Sequence, residues 1–275
     1  MNLISGEKFQ EITDLSISKK EHKKLENTSI ANSINIDSFD FSNFDNPSFI
    51  YANSSLINLH KKVLTESKFY DKLAQFKNPF YLLLHNSDQS FEKEHLKIFE
   101  ISKCEKIFSQ NVAVKDPRVI PLPIGIGNTC WPYSKFVPNT CEKTRDIFFN
   151  FTITGGNRKI KRPACFERLN ELGVEWIDLV DQLDYPELVS KYKYVISPEG
   201  NGIDCHRTWE TLYNKSIPVV DRSYTTEYFA KYFPMVLVDD WSTFELSQLN
   251  GVYETASWVN YYLLDFDLFV KKFVG

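Results

Sequence analysis

The 275-residue chain is 43% hydrophobic, 15% aromatic and 25% charged, with a formal net charge of −4. That is apolar material enough for one large domain or two small ones. The mildly acidic balance argues against a dedicated nucleic-acid binder, which carries a basic surface, and no stretch approaches the roughly 20 apolar residues of a membrane span.

Residues 1–46 are polar and weakly patterned, and "KKEHKK" within them reads as a solvated face. From Pro47 the pattern sharpens. "SFIYA" predicts a strand, and the segment from Ser54 to Phe76 predicts a helix. "FYLLLH" predicts a buried strand, "SFEKEHLKIFE" a helix, and "KIFSQN" and "RVIPLP" further strands. The proline-rich "PIGIGNTCWPYSKFVPNTCEKT" has no periodicity and reads as a long loop or linker.

Alternation then resumes with strand "DIFFNFTI", a helix over 161–172, strand "VEWID" and helix "YPELVSKY". Strand "YVIS", a helix over 205–214, strand "IPVV", helix "TTEYFAKYF", strand "MVLVD" and helix "STFELSQL" follow. The last segment, "ASWVNYYLLDFDLFVKKFV", is apolar and helical, and must pack on something. This order implies an α/β protein of two αβα units with parallel sheets, residues 1–140 and 141–275. The closing helix is expected to cross back to the first unit.

Five cysteines, Cys104, Cys130, Cys141, Cys165 and Cys205, are widely spaced and form no C-x-x-C pair. That pattern suits free thiols better than a disulfide frame or a zinc site. The opening residues carry no apolar segment of signal-peptide length. A soluble, cytosolic protein is the expectation.

The chemistry concentrates in "YVISPEGNGIDCHRTWETLYNKSIPVV", residues 194–220. On a helix at 100° per residue, His206, Arg207, Glu210 and Asn214 share one arc, while Thr208, Trp209, Leu212 and Tyr213 anchor the other side. Asp204 is the expected N-cap, and Gly200 and Gly202 let the backbone bend closely around a ligand. A helix beginning just beyond a parallel strand is where phosphates bind. Arg207 and His206 suit phosphate oxygens, and Glu210 suits two ribose hydroxyls. The plain alternative is an i,i+3 surface pair of Arg207 with Glu210.

A second cationic stretch, "TGGNRKIKRP", offers Thr154, Gly155 and Arg158 as further phosphate donors, with Lys159, Lys161 and Arg162 beside them. Cations at a helix N-terminus oppose the dipole, so an anion is expected to offset them. The dinucleotide fingerprint fails, because "GNGIDC" and "GIGNTC" lack the third glycine, and no P-loop motif is present.

"SPEGNGIDCHRTWETLYNKSIPVV" resembles the donor-binding segment of exostosin-like glycosyltransferases, S-P-x-G-x-G-x-D-x-H-R-x-W-E. "LLLHNSD", "FSQNV" and "RVIPLPIGIGN" resemble first-half motifs of a soluble branch found in large DNA viruses and algae. The resemblance spans roughly residues 79–222. It implies a GT-B fold, two Rossmann-like domains facing a cleft, with the acceptor held by the first half and a nucleotide sugar by the second. Ser197, Pro198, Glu199, Gly200, Asn201 and Gly202 would join the donor set. Asp88 in "HNSD" would be the general base of an inverting transfer, with His85 its rival. His85, Asn86, Asn128 and Trp131 would touch the acceptor glycan.

Arg158, Arg207 and His206 would carry the charge of the leaving diphosphate, so no metal is expected. "DFD" at 265–267 and "VDDW" at 238–241 read as structural. A binding module without turnover, taking a nucleotide sugar or a glycan, is the other class that this pattern admits.

Overall fold

The computed structural model describes residues 1–17, 48–57, 65–128, 136–153, 161–178 and 184–275. Two compact units account for them, one of Ser5–Ile124 with Val274 and one of Gly125–Phe273 with Met1–Ile4 and Gly275.

The first unit is built on a five-stranded parallel sheet in sequential order. Its strands are β1 (Leu15–Ile17), β2 (Phe49–Asn53), β3 (Phe80–His85), β4 (Cys104–Ser109) and β5 (Val119–Pro121). The successive residues Leu82, Leu83 and Leu84 are all fully buried. A parallel sheet covered on both faces needs such an unbroken apolar run. Three helices accompany it: α1 (Gly6–Glu11), α2 (Thr65–Leu73) and the single turn α3 (Ile98–Ile101).

The second unit carries a four-stranded parallel sheet of β6 (Arg145–Phe148), β7 (Tyr192–Ile196), β8 (Ile217–Asp221) and β9 (Val236–Val238). Every residue of β8 is buried. Around the sheet lie α4 (Lys161–Glu171), α5 (Tyr185–Ser190), α6 (His206–Tyr213), α7 (Tyr224–Phe229), α8 (Val252–Thr255) and α9 (Phe266–Phe273). Among the described residues the chain is therefore a mixed α/β protein with parallel sheets, as its alternating pattern implies. No helix among them is long and apolar enough to cross a membrane.

Several expectations need correction. "VEWID" forms no strand. The Ile177 amide bonds the Phe149 carbonyl, the Asn150 amide takes the Ile177 carbonyl, and Trp176 stands edge-on to Phe149 at 4.8 Å and Phe166 at 5.0 Å. Aromatic packing holds the segment without a ladder. "STFELSQL" becomes two 3-10 turns, Trp241–Thr243 and Leu246–Leu249, and "SFEKEHLKIFE" opens as a 3-10 helix over Lys93–Lys97 before α3. The weakly patterned start contains α1 and β1, each too short to show a period.

The expected closing helix breaks at Asp265. A 3-10 turn over Tyr261–Leu264 precedes it and α9 follows. The reason is the chain's own beginning: Asp265 Oδ2 accepts the Asn2 amide at 2.7 Å, and the Phe266 amide bonds the Asn2 carbonyl. Phe273 of α9 lies against Tyr232 at 4.8 Å and Tyr228 at 6.2 Å, both on or beside α7 of the same unit.

Candidate functional site

Within the second unit, the loop after β7 and the ends of β8 and α4 bring charged groups together. Ser197 prolongs the ladder, its amide bonding Val219 at 2.9 Å, while its hydroxyl meets that of Thr208 at 3.0 Å. The strand is thereby coupled to the first turn of α6. That helix starts one residue later than its expected cap. Cys205 is the N-cap and makes no side-chain capping bond. Asp204 instead accepts the Cys205 amide at 2.9 Å and the Trp209 indole N–H at 2.7 Å. Trp209 is fully buried and stands perpendicular to Phe229 at 4.9 Å. These contacts fix the rotation of α6, and with it the face that carries His206, Arg207 and Glu210.

Those three are the half-buried positions of the helix, as the 100° arc implies. Asn214, assigned to the same arc, is fully buried and uses its amide on the Asn139 amide and the Pro186 carbonyl. Arg207 Nε donates to the Tyr185 hydroxyl at 3.2 Å. Neither its terminal nitrogens nor the Glu210 carboxylate has a hydrogen-bond partner among the described residues. Burial pushes the Glu210 carboxyl up to about 7, against the pull of the Arg207 charge. Tyr185 is raised to about 12, again chiefly by burial. The expected i,i+3 surface pair is not formed as an ion pair. His206 Nδ1 lies 2.7 Å from the Gly125 carbonyl. A carbonyl only accepts, so Nδ1 carries the proton there.

The glycine-bearing loop is held by charged side chains from α4 and β8. Glu199 and Asp221 are both buried, and Lys161 Nζ lies 3.0 Å from Glu199 and 3.5 Å from Asp221. Arg162 donates to the carbonyls of Glu199 and Thr152. Glu199, expected in the donor set, thus already has a cation. Gly200 does not have a left-handed backbone: a Cβ there would sit 2.6 Å from Arg162 Nη2. The missing side chain leaves room for the guanidinium and serves no left-handed bend. Pro198 accepts from the Cys205 thiol at 3.5 Å, Gly202 accepts the Gly200 amide at 3.2 Å, and Asn201 is exposed at the loop tip. Thr154, Gly155, Arg158 and Trp131 lie outside the described residues.

Tyr185 and Asp221 are the additions of the structure, while Lys161 and Arg162, noted in the sequence as part of the cationic stretch, turn to the loop. One of them had a signal: Asp221 is a carboxylate ending an apolar strand at a sheet's carboxyl edge.

In the first unit, the carboxyl ends of β2, β3 and β4 carry amides. Asn86 and Asn111 adopt left-handed backbones, φ 58° and 55°, which asparagine tolerates. The Asn86 amide N–H donates to His85 Nδ1 at 2.8 Å, and His85 Nε2 donates to the Pro123 carbonyl at 3.0 Å. His85 is fully buried with both nitrogens engaged. It positions the Asn86 backbone, in place of the acceptor contact or base role expected of it. The Asn86 side chain donates to Tyr51 at 2.8 Å. Asp88 is exposed on the following loop, and its carboxylate has no partner among the described residues. Asn128 is buried.

The carboxylates of "DFD" hold the chain's beginning, Asp265 through the Asn2 amide and Asp267 through the Asn2 side chain. Those of "VDDW" bind Arg222 and cap the turn at Ser242. Among the described residues no cluster of three metal-ligating side chains occurs.

No known protein family and no curated protein sequence matches the chain. Among solved structures it is similar to a DNA-modifying β-glucosyltransferase, determined with and without uridine diphosphoglucose, at 11% identity over 93% of each chain and a TM-score of 0.35.

Proposed function

We propose that the chain is a glycosyltransferase that holds a nucleoside-diphosphate sugar against α6 and transfers the sugar to a glycan hydroxyl. The observation that carries this reading is the pair Arg207 and Glu210. Both are half-buried and ionisable, and the ends of both side chains lack partners among the described residues. Half-buried charged groups without partners are costly unless a ligand completes them. They stand at a helix beginning just beyond a parallel strand, where anions bind.

In this reading the two terminal nitrogens of Arg207 take diphosphate oxygens in a fork and stabilise the charge of the leaving group. Glu210 accepts the two ribose hydroxyls. The positive charge is supplied by the chain, so binding needs no divalent cation. Asp88 takes the proton of the acceptor hydroxyl, giving a single displacement with inversion. The likeness of the loop motif to exostosin-like transferases supports the class. Within it, the viral capsid-glycan xylosyltransferases make UDP-xylose the first donor to try.

The test is calorimetric titration with a panel of UDP- and GDP-sugars, in EDTA and then with Mn²⁺. One nucleotide series should bind at micromolar level, equally in EDTA, and not to Arg207→Ala. Asp88→Asn should bind the donor normally and lose about 10²–10⁴ in turnover. Binding without turnover on any glycan acceptor would favour a nucleotide-sugar binding module. No binding across the panel would sink both.

A further inference from the structure

We infer that Asp221 is a positioning residue, which holds the Glu199–Gly202 loop in the conformation that a nucleotide sugar meets. The inference rests on the donor site proposed above and extends it to a residue that touches no ligand.

Asp221 ends β8 and is buried. Its two carboxylate oxygens are divided between two elements. Oδ2 accepts the Glu199 backbone N–H at 2.6 Å, and Oδ1 accepts the Trp241 indole N–H at 2.9 Å. Lys161 Nζ, 3.5 Å from Oδ1 and 3.0 Å from Glu199 Oε1, offsets part of the charge of the two carboxylates. From the other side Arg162 Nε donates to the Glu199 carbonyl at 3.0 Å, and its guanidinium lies where a Gly200 side chain would project. Amide, carbonyl and side chain of one residue, Glu199, are therefore each held by a different charged group.

A loop so fixed loses no ordering entropy when ligand binds. The loop opens directly into α6, because Cys205 follows it and donates its thiol back to Pro198. A shift at Glu199 is thereby passed to the helix carrying Arg207 and Glu210. Asp221 acts on the ligand only through that backbone. Trp241 has the complementary part: buried itself, it fixes which oxygen faces the loop.

The chemistry gives a sharp variant. Asp221→Asn keeps the shape but replaces one acceptor by an NH₂ group. Two N–H donors, Glu199 N and Trp241 Nε1, then compete for a single oxygen. Gly200→Ala reaches the same loop from the opposite side by displacing Arg162.

Amide hydrogen exchange over residues 197–203 is measured first, with no nucleotide present. The Glu199 amide should exchange at least about tenfold faster in Asp221→Asn than in the parent, with the melting transition still cooperative. Unchanged exchange overturns the inference whatever the protein binds. Titration with UDP-sugar is measured second. Affinity should fall about tenfold in Asp221→Asn and in Gly200→Ala, and Asp88→Asn should leave it intact. Faster exchange with undiminished affinity overturns the positioning role. If the parent protein binds no nucleotide sugar, the donor-site reading fails and the positioning role with it, while the exchange result still decides whether Asp221 holds the loop. Should Asp221→Asn fail to fold, Gly200→Ala carries both measurements.

Discussion

The Arg207 Nε donates to the Tyr185 hydroxyl at 3.2 Å, and that single bond leaves both terminal nitrogens of the guanidinium turned to other use. Tyr185 is itself fixed, its ring edge-on to Phe148 at 5.7 Å and 84°. Its phenol stays neutral across the working range, being raised to about 12 by burial. A guanidinium held through Nε, with no partner at its fork among the described residues, is prepared for two oxygens of a diphosphate.

Tyr185→Phe removes that hydroxyl and little else. Nucleotide-sugar affinity should fall about five- to tenfold, the worth of one charge-assisted bond. Arg207→Lys should fall further, since an ammonium has no fork. Isothermal titration of the two variants beside the parent checks the order. Equal affinities for Tyr185→Phe and the parent would remove Tyr185 from the site.

Glu210 makes binding and stability respond to pH in opposite directions. Burial raises its carboxyl from an ordinary value to about 7. The folded state then holds a proton that the unfolded state has released between about pH 4.5 and 7. This contribution to stability is complete below that window and is lost as pH rises through 7. Ribose hydroxyls need an ionised acceptor, so nucleotide affinity should climb from pH 6 to 8. Glu210→Gln should flatten both profiles. Denaturant midpoints and titrations at four pH values measure them, and an unchanged affinity profile in Glu210→Gln would contradict the diol role.

Lys143 has the reverse sign. Its Nζ reaches the Ser190 carbonyl at 2.5 Å, the Asn214 carbonyl at 2.7 Å and the Ser216 hydroxyl at 2.9 Å. It thus ties the C-terminal ends of α5 and α6 to the start of β8. Burial lowers it to about 8, with the neighbouring Cys141 side chain pulling the other way. Between pH 8 and 10.5 the unfolded chain binds the extra proton, so this group's contribution to stability rises with pH across that window. Lys143→Met should abolish that rise and, at pH 7, cost about 1–3 kcal/mol for the helix-end carbonyls left bare. Chemical denaturation at pH 7, 8 and 9 tests both. A slope shared by variant and parent would assign the linkage elsewhere.

What the sequence makes legible here is whatever has a period or a punctuation mark. "FYLLLH" and "IPVV" are continuous apolar runs and are strands; the helix over 206–213 follows from its 100° arc, and its half-buried face is the one that the arc assigns to charge. Trp176 shows where this ends. "VEWID" has strand chemistry, but three aromatic partners distant in sequence decide its conformation, and no local pattern records them. The site divides similarly. Arg207 and Glu210 announce themselves by spacing, while Tyr185 reaches Arg207, and Asp221 the Glu199 amide, only through the crossover of a parallel sheet. Gly200 looks like a hinge in the sequence and is a gap for Arg162 in the structure.

Tyr213 is the last residue for which a loss can be predicted in full. It is completely buried, its hydroxyl accepts the Ile4 amide at 2.7 Å and donates to the Leu264 carbonyl at 2.8 Å. One oxygen therefore joins the chain's first residues, the end of α6 and the turn before α9. Beside it, the Ile126 amide bonds the Ile4 carbonyl at 2.9 Å, so Ile4 is held on both sides. Tyr213→Phe keeps the ring packing, including the contact with Phe136 at 6.1 Å, and removes only the oxygen. Two buried backbone groups are then unpaired, at a cost of about 1–3 kcal/mol. The loss should appear as earlier denaturation together with faster proteolysis near the N-terminus, because Ile4 then loses the bond to its amide. Nucleotide affinity should hold, since the change removes only the oxygen that bonds Ile4 and Leu264 and leaves the ring in place. A variant as stable as the parent would mean that water reaches Ile4 and Leu264 and satisfies both groups.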